Sequence, residues 1–358
     1  MKRITLESRR RRRDGFTLVE VLLSVVVLTF LLLVVSQLMN NATAITRTGN
    51  RHADTDAQAR AVFDRMAVDF AQMLKRTDVD YYVKAPSGYK NPNAHGNGLK
   101  LKVGQQGNDQ IAFFSQVPGY YPTGAASPLS LVAYRVRSKN SSPRYLQLER
   151  MGKGLLWNGA NNGTTQTSPY PIVFAPGQIA AGTGPWAGPW YAAINNDNTG
   201  QSEDPDGTYE VIGPQVFRLE YYYLLKDGSV KDIPAISAWD FTKTVSANLN
   251  GFSDAEAIVV AIAVTDPATR SLLYDPSNPS DPYHVLFNLM SDMADFKDAN
   301  GKGIGAQKIG DVENEWNTAI KNAATTGHTS DGSVFPPAAA AAVRVYNRYF
   351  DLRTPALY

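Results

Sequence analysis

Between Phe16 and Met39 apolar side chains follow one another almost without a break; only Thr17, Glu20, Ser24, Thr29, Ser36 and Gln37 are polar. The run is rich in valine and leucine and holds neither proline nor glycine. About 20 mostly apolar residues suffice to cross a bilayer as a helix. In lipid a lone segment can satisfy its backbone only by becoming helical. The pattern therefore predicts a membrane-spanning helix over 16–39. Past it the period changes. Phe63, Met66, Phe70 and Leu74 recur at helical spacing, while Asp54, Asp56, Arg60, Asp64, Arg65, Asp69, Lys75 and Arg76 occupy much of the rest. That stripe predicts an amphipathic helix from Ala53 to about Lys75, laid on the domain that follows. Gly49 and Asn50 are candidates to interrupt it.

Beyond Lys75 the pattern is mostly that of strands. Leu99–Val103 alternates, Ile111–Phe114 is a short apolar run, and Leu131–Arg137 with Tyr145–Arg150 reads as a hairpin closed by Ser138 to Arg144. Gln215–Leu225 and Val230–Ile236 form a second hairpin around Lys226-Asp227-Gly228-Ser229, where Asp-Gly is the turn signal. Ala257–Val264 is the most apolar strand and is expected to be central and covered on both faces. Residues 158–207, dense in Gly, Asn, Pro and Thr, read as a loop insertion that Trp186 and Trp190 pin to the core. From Tyr283 the chain turns helical, with candidate helices at His284–Phe296, Val312–Ala324 and, after Pro336-Pro337, Ala338–Phe350.

The fold class expected is α+β: a long N-terminal transmembrane helix continuing into an amphipathic helix packed on mostly antiparallel sheet, with a helical C-terminal extension. The expected divisions are a leader over 1–15, the membrane helix over 16–39, a helical stalk over 40–76, a β-rich domain over 77–282 and the extension over 283–358.

Charge orients this plan. Lys2, Arg3 and Arg9 to Arg13, against Glu7 and Asp14, precede the apolar run, and positive charge stays on the cytoplasmic side. The expectation is an inner-membrane, single-pass chain with its amino terminus in the cytoplasm and its large domain outside. A cleaved secretory signal fits less well, because the apolar run is too long and Met39-Asn40-Asn41-Ala42-Thr43-Ala44 is a faint cleavage candidate. Net charge is +2, most of the positive excess lies in the leader, and no basic field predicts nucleic-acid binding. The absence of cysteine excludes disulfides, thiolate metal sites and a cysteine nucleophile.

The residue that demands a reason is Glu20. A charge near the centre of a membrane helix costs roughly 2.5–3.5 kcal/mol on insertion scales, so such a residue is a functional candidate. Its context, Gly15-Phe16-Thr17-Leu18-Val19-Glu20 behind a basic leader and ahead of a continuous apolar helix, resembles the signal of type IV pilins and type II secretion pseudopilins. The resemblance implies cleavage after Gly15 by a prepilin peptidase and N-methylation of the new amino terminus at Phe16. It implies that Glu20 neutralises the Phe16 ammonium of a neighbouring subunit, setting register as one buried polar group does in a coiled coil. The partners it implies are the peptidase, other pilin-like subunits, an inner-membrane assembly platform and membrane lipid.

Two departures stand out. Gln37 lies where many major pilins carry a proline, and Asp14 is acidic where a basic residue is more usual. Arg135-Val136-Arg137 followed by Tyr145-Leu146-Gln147-Leu148-Glu149-Arg150 is similar to a hairpin of J-type minor pseudopilins. Arg150–Trp157 and Arg344–Phe350 are more similar still to a prepilin-like family of verrucomicrobial genomes, the Verru_Chthon cassette protein C. The reading is therefore a minor pseudopilin acting by assembly. A minor type IV pilin or an anchored surface binding module is the alternative.

Nothing in the remainder points to catalysis or a cofactor. His52, His95, His284 and His328 belong to no metal-binding spacing, and there is no nucleophile elbow or P-loop. Asp197, Asn198, Glu203, Asp204 and Asp206, and Asp295, Asp298 and Asn300, lack calcium-loop spacing and read as solvated turns. Asn140 and Asn162 open sequons of little weight in a bacterial protein.

Overall fold

A computed structural model describes residues 17–74, 108–120, 128–137, 142–154, 209–231, 255–296 and 308–352. Leu99–Val103, the loop over 158–207 with its tryptophans and acidic cluster, Gly15, Phe16, His95, Asn140, Asn162, Asp298 and Asn300 lie outside the described residues. The first helix, α1, runs Leu18–Ala71. Internal contacts divide the chain within it, into Met1–Arg51 and His52–Tyr358.

In the first unit α1 is long and apolar enough to cross a membrane, and none of its side chains from Leu18 to Arg51 is buried. The helix continues unbroken through Gly49 and Asn50, against the expected interruption. A single glycine costs about 1 kcal/mol against alanine, too little to stop a helix propagating from both sides.

In the second unit the stripe closes on a core. Ala59, Val62, Phe63, Met66 and Phe70 are buried, and Leu74 is packed against the same cluster. The helix stops at Ala71, short of the expected Lys75, because its backbone leaves to pair with a strand. Leu74 N–H donates to the Phe114 carbonyl (2.9 Å), and Gln116 N–H donates to the Gln72 carbonyl (2.9 Å).

Among the described residues two four-stranded antiparallel sheets follow. The first is ordered β1 (Gln110–Ser115), β2 (Ser130–Val136), β3 (Leu148–Gly154) and β4 (Tyr209–Gly213). The β2–β3 hairpin is present, but its second strand starts at Leu148, not Tyr145. Ser142–Gln147 is spent on the turn, where Leu146 takes a left-handed φ of 53° and donates its N–H to the Arg137 carbonyl (2.9 Å). Arg270 holds the strained residue by donating to the carbonyls of Tyr145 (2.6 Å) and Leu146 (3.0 Å).

The second sheet is ordered β6 (Val230–Lys231), β5 (Val216–Leu225), β7 (Ala255–Val264) and β8 (Arg344–Asp351). The β5–β6 hairpin turns on Gly228 at φ 83°, as the Asp-Gly signal requires. Strand β7 lies between β5 and β8 and is buried except for half-buried Glu256, which agrees with a central strand covered on both faces. Asn108 and Asp109 cover the backbone edge of β5: the Asn108 side chain bonds Phe217 and Leu219, and Asp109 accepts from Tyr221 N–H (3.0 Å).

Among the described residues four further helices follow: α2 (Pro267–Leu272), α3 (His284–Asp292), α4 (Asp311–Thr326) and α5 (Pro337–Ala340). The helix expected over Ala338–Phe350 is corrected. Only one turn of it forms, and Arg344–Asp351 pairs with β7 from Ala257↔Asp351 to Val264↔Arg344. The alanines favour helix, but Val343, Val345, Tyr346, Tyr349 and Phe350 favour strand, and the β7 edge offers a full ladder. The C-terminal segment is thus only partly helical and supplies the strand that completes the second sheet.

Candidate functional site

The start of α1 is built around Glu20. Thr17 is its N-cap and Glu20 stands three residues on, the spacing of a capping box. Thr17 donates its backbone N–H (2.9 Å) and its hydroxyl (2.9 Å) to Glu20 Oε2, and the hydroxyl accepts Glu20 N–H (3.3 Å). The carboxylate therefore sits at the positive end of the helix dipole, which favours it there. Gly15 and Phe16 are outside the described residues, so this geometry locates Glu20 alone among the expected site residues. The Thr-x-x-Glu spacing is visible in the sequence, and it gives the carboxylate a role in its own helix beside the one the resemblance implies.

A second constellation joins the packed part of α1 to the first sheet. Asp69, fully buried, receives a bidentate pair from Arg150 of β3: Nε to Oδ2 (2.6 Å) and Nη2 to Oδ1 (3.0 Å). The Tyr134 hydroxyl of β2 donates to the same Oδ2. Arg65, one turn back, adds a longer contact at 3.7 Å, and Ser115 Oγ of β1 donates to the Asp69 carbonyl (2.9 Å). Burial works against the Arg150 charge, but the hydrogen bonds and charge of Asp69 outweigh it, so its pKa lies above the ordinary arginine value. Gly152 belongs to this arrangement, since a Cβ there would meet the Tyr120 ring at 2.9 Å. The Tyr120 hydroxyl donates to the Arg150 carbonyl (2.7 Å).

Strand β8 follows the same helix. Arg348 donates to Asp64 (2.6 Å), Tyr346 donates to Asp56 (2.5 Å) and Arg344 Nε donates to His52 Nδ1 (3.1 Å). Phe350 meets Phe70 at 5.0 Å and Phe63 at 6.2 Å between centroids. The expected helix over Ala338–Phe350 hid this seam.

These phenols make the unit alkali-sensitive. Burial, then the charge of Asp69, drives the Tyr134 pKa well above 10; burial, then the Asp56 hydrogen bond, pushes Tyr346 up to about 12. A raised folded pKa favours the neutral phenol. Its stabilising contribution is complete below the unfolded value of about 10 and is lost as pH rises through the folded value. The expected result is an unfolding transition that begins between pH 10 and about 12, with tyrosinate absorbance and loss of circular dichroism rising together. Complete tyrosine ionisation in a chain that stays folded would contradict these contacts.

Among the described residues no group of three or more His, Cys, Asp or Glu side chains is placed to hold a metal ion. His52, His284 and His328 are not brought together: His52 bonds Arg344, His284 stands 3.9 Å from Asp275, and His328 faces the Thr326 carbonyl.

Residues 10–36 match the family model described as the prokaryotic N-terminal methylation motif. No curated protein matches the chain, and no solved structure does. The match covers the basic leader's end, the Gly15–Glu20 signal and most of the apolar run. The motif, together with the apolar helix it runs into, supports a membrane-anchored, type IV pilin-like or pseudopilin subunit: a structural protein processed by a prepilin peptidase and assembled with other pilin-like subunits.

Proposed function

We propose that this chain is a minor pseudopilin of a type II secretion-type envelope filament. The observation that carries the reading is the methylation motif over 10–36, which takes in the start of an exposed apolar helix with Glu20 in its first turn. On this reading the peptidase cuts between Gly15 and Phe16, Phe16 is N-methylated, and Glu20 neutralises the Phe16 ammonium of an adjacent subunit. The chain is anchored in the inner membrane with its leader in the cytoplasm and its His52–Tyr358 unit outside. It assembles with other pseudopilins on an inner-membrane platform.

The minor role is supported by the size of the exterior, since a bulky head suits a filament tip better than a repeated lattice. The hairpin of β2 and β3, with Arg135, Arg137, Glu149 and Arg150, is the part similar to J-type minor pseudopilins, and Arg150–Trp157 with Arg344–Phe350 the part similar to Verru_Chthon cassette protein C. Within the hairpin Glu149 accepts from Arg135 (3.1 Å) and lies 3.7 Å from Arg137, so the two arginines serve the fold.

Intact mass and amino-terminal sequencing of the membrane-extracted chain test the processing. The expected chain starts at N-methyl-Phe16. A chain beginning at Met1 in a cell with active peptidase, or near Ala44, overturns the proposal. Deletion should impair protein export and leave twitching and adhesion normal; the reverse would mark a pilus subunit instead.

A further inference from the structure

Four bonds of this chain join an aspartate to a proline: Asp204–Pro205, Asp266–Pro267, Asp275–Pro276 and Asp281–Pro282. Such bonds are weak links in mild acid. The aspartate carboxyl can attack its own main-chain carbonyl through a five-membered ring, and the proline nitrogen, part of a tertiary amide, leaves readily once it gains a proton. Asp204 lies outside the described residues. The structure separates the other three. Asp266 caps α2: its Oδ1 accepts the N–H of Ala268 (3.0 Å) and of Thr269 (3.1 Å), and its Oδ2 accepts the Thr269 hydroxyl (2.5 Å). Asp275 accepts the hydroxyl (2.6 Å) and the N–H (2.9 Å) of Ser277, and these bonds hold its pKa below the usual aspartate value. Both carboxylates are committed to turns of their own.

Asp281 differs. It is 7% exposed, and its Oδ1 is buried with no hydrogen-bond partner among the described residues. Burial pushes its pKa up, against a smaller opposing pull from His284. A carboxyl without such bonds is free to turn on its own carbonyl, and burial lets it keep its proton to a higher pH. The carbonyl it would attack is already held. Asp281 O accepts the backbone N–H of His284 (3.3 Å), and His284 Nδ1 stands 3.3 Å from the same oxygen. With that nitrogen protonated, two donors face the oxygen on which negative charge gathers during attack. The ionisable groups around the site are few. The Tyr145 phenol, from the turn before β3, is pushed up by burial and by the Asp281 charge. Asp275 lies 3.9 Å from His284 Nδ1. Arg270 of α2 is turned to the Tyr283 ring and to the carbonyls of Tyr145 and Leu146.

We propose that Asp281–Pro282 is a self-cleaving bond, broken by attack of the Asp281 carboxyl on its own carbonyl carbon. The carboxyl proton passes to the Pro282 nitrogen, the C–N bond breaks, and Asp281 closes to a five-membered anhydride. Water then opens the anhydride, leaving Asp281 as a carboxyl terminus and Pro282 as an amino terminus. The piece so formed, residues 282–358, holds 358 − 281 = 77 residues. It stays docked after the cut, since β8 keeps its ladder with β7 and Leu286, Leu289 and Trp316 remain in the core. The site belongs to the His52–Tyr358 unit and does not depend on the pseudopilin reading.

The test is prolonged incubation of the full-length chain in detergent micelles, in buffers from about pH 5 to 8 that each preserve its circular dichroism, with intact mass and amino-terminal sequencing of the products. At the acid end a terminus at Pro282 is expected at least about tenfold faster than one at Pro267 or Pro276, whose carboxylates are held away from their carbonyls. The rate should fall as pH rises and the Asp281 carboxyl loses its proton. The preference should vanish in guanidinium chloride, where all three bonds lose their surroundings. Asp281→Glu, which needs a six-membered ring, should abolish the Pro282 terminus, and His284→Ala should slow its appearance in the folded chain alone. Native cleavage at Pro282 no faster than at the other two bonds, or no faster than in the denatured chain, overturns the proposal, as does an unchanged rate in folded Asp281→Glu.

Discussion

Asp69→Asn lowers the stability of the His52–Tyr358 unit by about 3–5 kcal/mol, because it leaves the Arg150 guanidinium buried without its counter-charge. The fold offers Arg150 little else: its Nη1 reaches Glu210 only at 3.5 Å, and that carboxylate is half exposed. For a unit of this size the thermal midpoint should fall on the order of 10 °C, read by circular dichroism on the detergent-solubilised chain. Tyr134→Phe, which removes one hydrogen bond and no charge, should cost only about 1 kcal/mol. The discriminating measurement is a cycle. Asp69→Leu and Arg150→Met should each be severe, while the double variant should be milder than their sum, because a buried ion pair replaced by apolar groups of similar volume is often neutral. Strictly additive losses would mean that the two residues act separately, and the helix would then be held by its apolar packing and its contacts with β8.

That lock shows where the sequence speaks and where it does not. Phe63, Met66 and Phe70 announce the packed face of α1 by period alone, and Asp227-Gly228 announces a turn. Asp69 gives no such sign when it is counted with the polar face. Yet Val62, Met66, Asp69 and Met73 fall at i, i+4, i+7 and i+11, so it stands on the buried stripe, and a carboxylate there predicts a buried cation. The identity of that cation was out of reach, because Arg150 comes from a strand whose register depends on a turn at Leu146 with an unusual backbone. Strand β8 was hidden for a different reason. Ala338 to Ala342 dominate local propensity, and only the open edge of β7, a tertiary feature, selects the strand. The local signal at Thr17 and Glu20 was readable, because a capping box needs only the spacing of its own residues.

That box sharpens the test of Glu20. Two roles now compete for one carboxylate: closing the first turn of its own helix, and neutralising a neighbour's Phe16 amine in the filament. Glutamine separates them. Gln at this position can still reach back to the N-cap N–H, but it carries no charge. Glu20→Ala removes both functions. If pairing between subunits governs assembly, both variants should be cleaved after Gly15 as efficiently as wild type, since mass is set by the peptidase step. Both should also fall in the filament fraction by about tenfold or more, the change that a loss of about 1.4 kcal/mol produces. The measurement is the ratio of chain recovered in sheared or cross-linked filaments to chain in the membrane, with processing followed by intact mass. Should Glu20→Gln assemble like wild type while Glu20→Ala does not, helix capping would account for the residue and the ammonium pairing would be wrong. Should both assemble normally, neither role would be needed, and a carboxylate in the apolar run would be left without a reason in assembly.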